Sequence, residues 1–179
     1  MLPLGGQLIV EDLVYALQLP PPIAEAVLHQ YGTALAAHVP ANETIDLGQF
    51  MPNCHEVAAR RKLAMVIEAR VEDTLVRVRD ELRRVGGERP FVGGVVLTGG
   101  VAELPGITEV AARIFTAPVR VGAPHSLHGA PEAALHPAFA TAVGLLRWRC
   151  QTQLGAADPS AASAWERLWS GFSSLLGRS

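Results

Sequence analysis

At 179 residues, 49% hydrophobic and 18% charged, the chain is long enough for one domain with a sizeable core or for two small lobes, and too apolar for disorder. A net charge of −2 excludes a global attraction to nucleic acid or to an acidic membrane. Two distant cysteines, Cys54 and Cys150, exclude a disulfide framework, and no uncharged apolar run reaches the roughly 20 residues of a spanning helix.

The chain opens on "LPLGGQLIVEDLVYALQL", a loop leading into a helix with Leu13 and Leu17 toward a core. It has no basic leader and carries Glu11-Asp12 in mid-run, so a signal peptide is not expected and the protein reads as cytosolic. Pro20-Pro21-Pro22 ends this helix. A second helix fits "PIAEAVLHQYG", with Gly32 as its C-cap, and a short strand fits Thr44–Leu47. Asn53-Cys-His-Glu56 has the spacing of a capping box. Leu63, Ile67, Val71, Leu75, Val78, Leu82 and Val85 then recur at steps of three and four, which predicts a helix of roughly eight turns stopped by Gly86-Gly87.

From residue 91 the text alternates. "FVGGVVLT" predicts a buried strand, "PGITEVAARIF" a helix, "PVRVG" a strand and "PAFATAVGLLRWR" a helix, together an α/β arrangement. "QTQLGAADPSAAS", residues 151–163, reads as a flexible linker. In "AWERLWSGFSSLLGR", Trp165, Leu168, Trp169, Phe172, Leu175 and Leu176 fall on one face of a helix, opposite charged and small polar residues. A helix of about 14 residues is marginal alone in water, so that face needs a receiver. It is either docked on protein or lying in a membrane surface, where indole suits the headgroup boundary.

"GGVVLTGGVAELPG" ends a strand in Gly99-Gly100, yet matches neither GxxxxGK[ST] nor GxGxxG. Glycine chemistry alone leaves two readings: a tight turn, or backbone kept bare for a ligand. Residues 60–89 hold nine Lys or Arg and six Asp or Glu, interleaved as on a solvated helix face; nucleic-acid and protein-binding readings stand beside that one. His125, His128 and His136 lack the second ligand pair that zinc requires, and no nucleophile, base and acid converge, so neither metal nor catalytic residues are expected.

The block "GGVVLTGGVAELPGITEVAARIFTAPVRVGAP" with "HPAFATAVGLLRW" resembles the C-terminal region of FtsA, the actin-like bacterial cell-division family. "LPLGGQLIVEDLVYAL" and "AEAVLHQYG" also resemble family segments that follow its second phosphate loop. The resemblance implies the C-terminal part of an actin-like (ribonuclease H-like) ATPase fold. Residues 1–20 and 89–150 would form a partial subdomain, with a small inserted α+β subdomain at 21–88, the linker at 151–163 and a membrane-targeting helix at 164–179. It makes Gly99 and Gly100 part of the adenosine motif, with Glu25 from an "AE-x-x-K" pattern whose lysine is here Leu28. ATP is the implied cofactor. With no DxGxxT-like phosphate loop in the chain and the completing lobe expected to be absent, weak nucleotide binding at best and no hydrolysis are expected. Arg70, in "EARVEDTL", matches an arginine implicated in binding the acidic C-terminal peptide of FtsZ, the tubulin-like division protein; a structural ion pair with Glu56 or Glu68 is the alternative.

The resulting expectation is a non-enzymatic adaptor, peripheral on the cytoplasmic side of the inner membrane at the division site. Its partners would be FtsZ and membrane lipids, not nucleic acid, with self-association left open. The competing expectation is the nucleotide-binding half of a split or truncated actin-like ATPase, and a third is a remnant with an aggregation-prone sheet edge.

Overall fold

The computed structural model describes residues 2–52, 55–86, 93–125 and 131–154. It divides into two compact units, Met1–Val121 and Gly122–Ser179. The first unit begins with α1 (Gln7–Leu17), which buries Ile9, Val10 and Leu13 and stops at Gln18 in a left-handed turn, ahead of the prolines. Helix α2 (Pro21–Tyr31) starts on proline, whose missing N–H costs nothing in a first turn. Gly32 closes it as expected, donating its N–H to the Leu28 carbonyl at 2.9 Å, but in extended rather than left-handed backbone.

A 3-10 turn at Ala36–His38 leads to β1 (Thr44–Asp46). This strand pairs antiparallel with β2 (Val57–Ala59), with Ile45 opposite Ala58. The capping box at residues 53–56 therefore does not open the long helix: β2 intervenes, and α3 (Arg60–Gly86) begins four residues after Glu56. Asn53 and Cys54 themselves lie outside the described residues. The start of α3 is fastened by Arg60, whose N–H donates to the Glu43 carbonyl at 3.0 Å, whose Nε donates to the Tyr31 carbonyl at 3.3 Å, and whose Nη1 meets Glu43 Oε1 at 2.5 Å.

Helix α3 has 27 residues, about 40 Å of rod. It buries Leu63, Ala64, Ile67, Val71 and Leu75. Leu82 and Val85 continue the sequence stripe but are exposed, Val85 at 78%. Periodicity outruns the packing partners there.

Strand β3 (Val95–Leu97), helix α4 (Ile107–Phe115) and strand β4 (Val119–Val121) form a parallel β-α-β unit, with Val95 opposite Val119 and Leu97 opposite Val121. β3 was expected to be buried; instead Val95 and Leu97 are half-buried and Val96 is 49% exposed. Among the described residues β3 pairs only with β4, Val95 and Leu97 pack on the apolar cluster, and Val96, on the opposite face, is exposed.

One apolar cluster joins these elements, uniting Ile9, Val10 and Leu13 of α1, Val27 of α2, Ile45, the buried stripe of α3, and Val110 and Ala111 of α4. α3 packs most extensively against α1, then α4. Each fully buried Leu or Ile contributes about 1.5–3 kcal/mol by removal from water.

The second unit contains 3-10 turns at Glu132–Leu135 and Pro137–Phe139, both packed on α5 (Ala140–Leu154). The linker expected from Gln151 thus starts late, since α5 runs on to Leu154. The rest of that linker and the whole of residues 164–179, with Trp165, Leu168, Trp169, Phe172, Leu175 and Leu176, lie outside the described residues. Among the described residues no helix is long and apolar enough to cross a membrane.

Candidate functional site

The glycine turn follows β3. Gly99 has φ 94° and ψ 170°, a region essentially reserved for glycine, and no atom lies within 4 Å of where a Cβ would stand. Glycine is required here by the backbone and not by packing. Gly100 is exposed and opens a 3-10 turn, Gly100–Glu103, in which the Ala102 N–H donates to the Gly99 carbonyl at 3.1 Å.

The turn is clamped from behind. Val101 lies against Gly6 at the foot of α1, and Leu104 against Gly32 at the end of α2. The Pro105 carbonyl accepts from the Ala34 N–H at 2.8 Å and from the buried Thr33 hydroxyl at 3.0 Å. Glu25 sits on the exposed side of α2, 4.0 Å from His29, two helical turns before Gly32. The structure thus ties the glycine turn to the end of α2, while Glu25 stands roughly 10 Å further along the helix axis.

Arg70 is half-buried where α3 meets α1. Its guanidinium closes as a fork on Asp12: Nη2 donates to Oδ1 at 2.7 Å, and Nε donates to Oδ2. Nη1 reaches Asp73 Oδ2 at 3.4 Å, and Asp73 is shared with Arg77 at 3.0 Å. Hydrogen bonding to Asp12, opposed by desolvation, raises the Arg70 pKa above its ordinary value. The ion pair is therefore with Asp12, and neither Glu56 nor Glu68 takes that place. Glu68 accepts from the Ala36 N–H at 2.9 Å and meets Arg113 at 3.4 Å. Asp12 was the missed residue of this site. Its only signal was an acid beside the apolar stripe of α1, with a partner 58 positions away.

Further along α3, Arg77–Asp73 and Arg84–Glu81 form pairs at helical spacing, and the Arg84 guanidinium holds the Glu81 carboxyl below its usual range. That is the interleaved, solvated face expected from the sequence. Among the described residues no group of three or more His, Cys, Asp or Glu could hold a metal ion; His128 lies outside them.

Comparison with known proteins decides the family. The family model described as "Cell division protein FtsA" matches residues 1–144. The chain belongs to the FtsA family. Similar relatives are the cell division protein FtsA of Pseudomonas aeruginosa, 36% identical over 86% of this chain and 37% of its own length, and that of Escherichia coli K12, 32% identical over 86% and 38%. The FtsA of Neisseria meningitidis is 34% identical over 93% of this chain and 41% of its own length. A match to 93% of the chain runs past Leu154 wherever it starts. The chain spans about two fifths of the length of these FtsA relatives. Its mixed helices and strands, including the parallel β3–β4 pair, are those of an α/β FtsA fragment.

Proposed function

We propose that this chain is the C-terminal part of an FtsA-like adaptor of actin-like fold that holds FtsZ at the cytoplasmic face of the inner membrane, at the division site. The observation that carries the reading is the amphipathic pattern of residues 164–179, which follows the stretch up to residue 144 that matches the FtsA family, with relatedness continuing past Leu154. Trp165, Leu168, Trp169, Phe172, Leu175 and Leu176 would enter the headgroup boundary, for a gain of several kcal/mol before ordering costs. Arg167 and Arg178 against Glu166 add about 1 kcal/mol of electrostatic help. Arg70 would offer its guanidinium to an acidic FtsZ peptide. The expected division into 1–20 with 89–150 and an inserted 21–88 is part of the same proposal.

Liposome co-sedimentation of the full chain against a version ending at Ser163 tests it. Only the full chain should pellet, and high salt should barely weaken it. If both versions stay in solution, the membrane reading is lost and the chain should be pursued as one lobe of a split complex.

A second reading is favoured by Gly99, whose glycine-only backbone faces open space. On this reading Gly99 and Gly100, with Glu25 further along α2, form a partial adenosine site. ATP would bind only at millimolar concentration and would not be hydrolysed. A ligand present at its Kd stabilises by about 0.4 kcal/mol, so a thermal shift of about 1–3 °C is expected, lost in Gly99→Ala. A shift that survives Gly99→Ala rules this site out.

A further inference from the structure

The fork of Arg70 that would receive a peptide carboxylate is already filled. Nε and Nη2, one bidentate edge of the guanidinium, are both spent on Asp12, and on the other edge Nη1 already reaches Asp73. Around them stand Glu11, Asp12 and Asp73 against Arg70 and Arg77, so the local balance is acidic. An acidic peptide approaching this seam meets no net attraction while Asp12 stays in place. Yet the pair is not sealed: the side chains of Arg70 and Asp12 are 26% and 29% exposed. Asp12 can swing into water with little desolvation to recover, and the guanidinium it leaves is open to the outside. One turn along α1 from Asp12 stands Tyr15, 85% exposed. Tyrosine and arginine are residue types enriched in interface hot spots.

We propose that Asp12 is a built-in competitor for the acidic peptide: binding at the α1–α3 seam is a carboxylate exchange, in which the peptide's acid takes the Arg70 fork and Asp12 turns out to solvent. This rests on the reading that Arg70 receives an acidic peptide. Asp12 thereby sets the affinity of a contact it does not itself make. It also sets specificity, because a ligand with a single hydrogen-bond acceptor cannot replace both bonds of the fork, whereas a carboxylate can.

The test uses the full chain and a labelled FtsZ C-terminal peptide followed by fluorescence anisotropy. Asp12→Asn should bind about five- to tenfold more tightly than the parent, because neither the exchange nor the local negative charge then opposes the peptide. Arg70→Ala should weaken binding about tenfold or more, and adding Asp12→Asn to it should recover much less than the gain seen with Arg70 in place, because only the relief of negative charge is then left. If Arg70→Ala weakens binding but Asp12→Asn does not strengthen it, the exchange is overturned and the Arg70 contact survives. If Arg70→Ala binds like the parent, the contact itself is overturned. Asp12→Glu keeps the charge on a longer stem and should bind close to the parent. Should it tighten binding as much as Asp12→Asn does, loosening of the seam is the cause and the exchange falls.

Discussion

Ile67→Ala is expected to lower the stability of the first unit by about 2–5 kcal/mol, which is roughly 10 °C or more in melting temperature. Ile67 is fully buried in the first third of α3, the helix that packs on both α1 and α4. Removing its outer carbons loses transfer energy and leaves a void, because the surrounding helices relax only in part. The comparison that gives the result meaning lies on the same helix. Leu82 occupies the same sequence stripe but is exposed, so Leu82→Ala should change stability by no more than about 0.5 kcal/mol. Thermal denaturation followed by circular dichroism measures both. Equal losses at the two positions would mean that α3 is packed along its whole length and that its last turns are not free.

Gly32→Ala should cost about 1–3 kcal/mol by forcing atoms apart rather than by leaving them unfilled. A Cβ at this position would lie 2.3 Å from the Leu28 carbonyl oxygen, 3.0 Å from Leu28 Cδ1 and 3.2 Å from Leu104 Cδ2. The first clash is with backbone, so the last turn of α2 must open and the Gly32 to Leu28 hydrogen bond is strained. The displacement would also push on Leu104 and through it on the glycine turn. Gly5→Ala is the control, since nothing stands within 4 Å of its Cβ position. Chemical denaturation should separate the two variants clearly; a neutral Gly32→Ala would overturn the clamp described for residues 101–105.

These cases show what could be read from the residues alone. The ends of α1 and α2 were legible because proline and glycine act locally, at the positions where they stand. α4 and its flanking strands were legible because the hydrophobic period changes at each boundary. β2 was not: Val57-Ala58-Ala59 carries no alternation, and its identity as a strand depends on Thr44–Asp46 lying beside it. The same absent information turned residues 53–56 into a helix cap. The stripe from Leu63 to Val85 predicted the length of α3 correctly but did not say how much of it is buried, because period reports which face is apolar and not how far a partner reaches. At the candidate site, Gly99 and Gly100 announced a special turn, but their clamp on Gly6 and Gly32 is tertiary. The pairing of Arg70 with Asp12 joins two helices far apart in the chain, and charges scattered along an Arg-rich helix do not say which acid each will choose.

The apolar cluster that joins α1 to α4 has a consequence for how the chain is made. Helix α1 leaves the ribosome with Ile9, Val10 and Leu13 unsatisfied, and α4, which completes the cluster, follows about 90 residues later. At about 5–20 residues per second, roughly 5–18 seconds pass between the two. During that interval α1 can pack on α2 and α3, but the cluster lacks its α4 side, so the nascent chain is a client for whatever shields such faces in the cell. Residues 7–17 and 107–115 complete one core although they are made far apart in time.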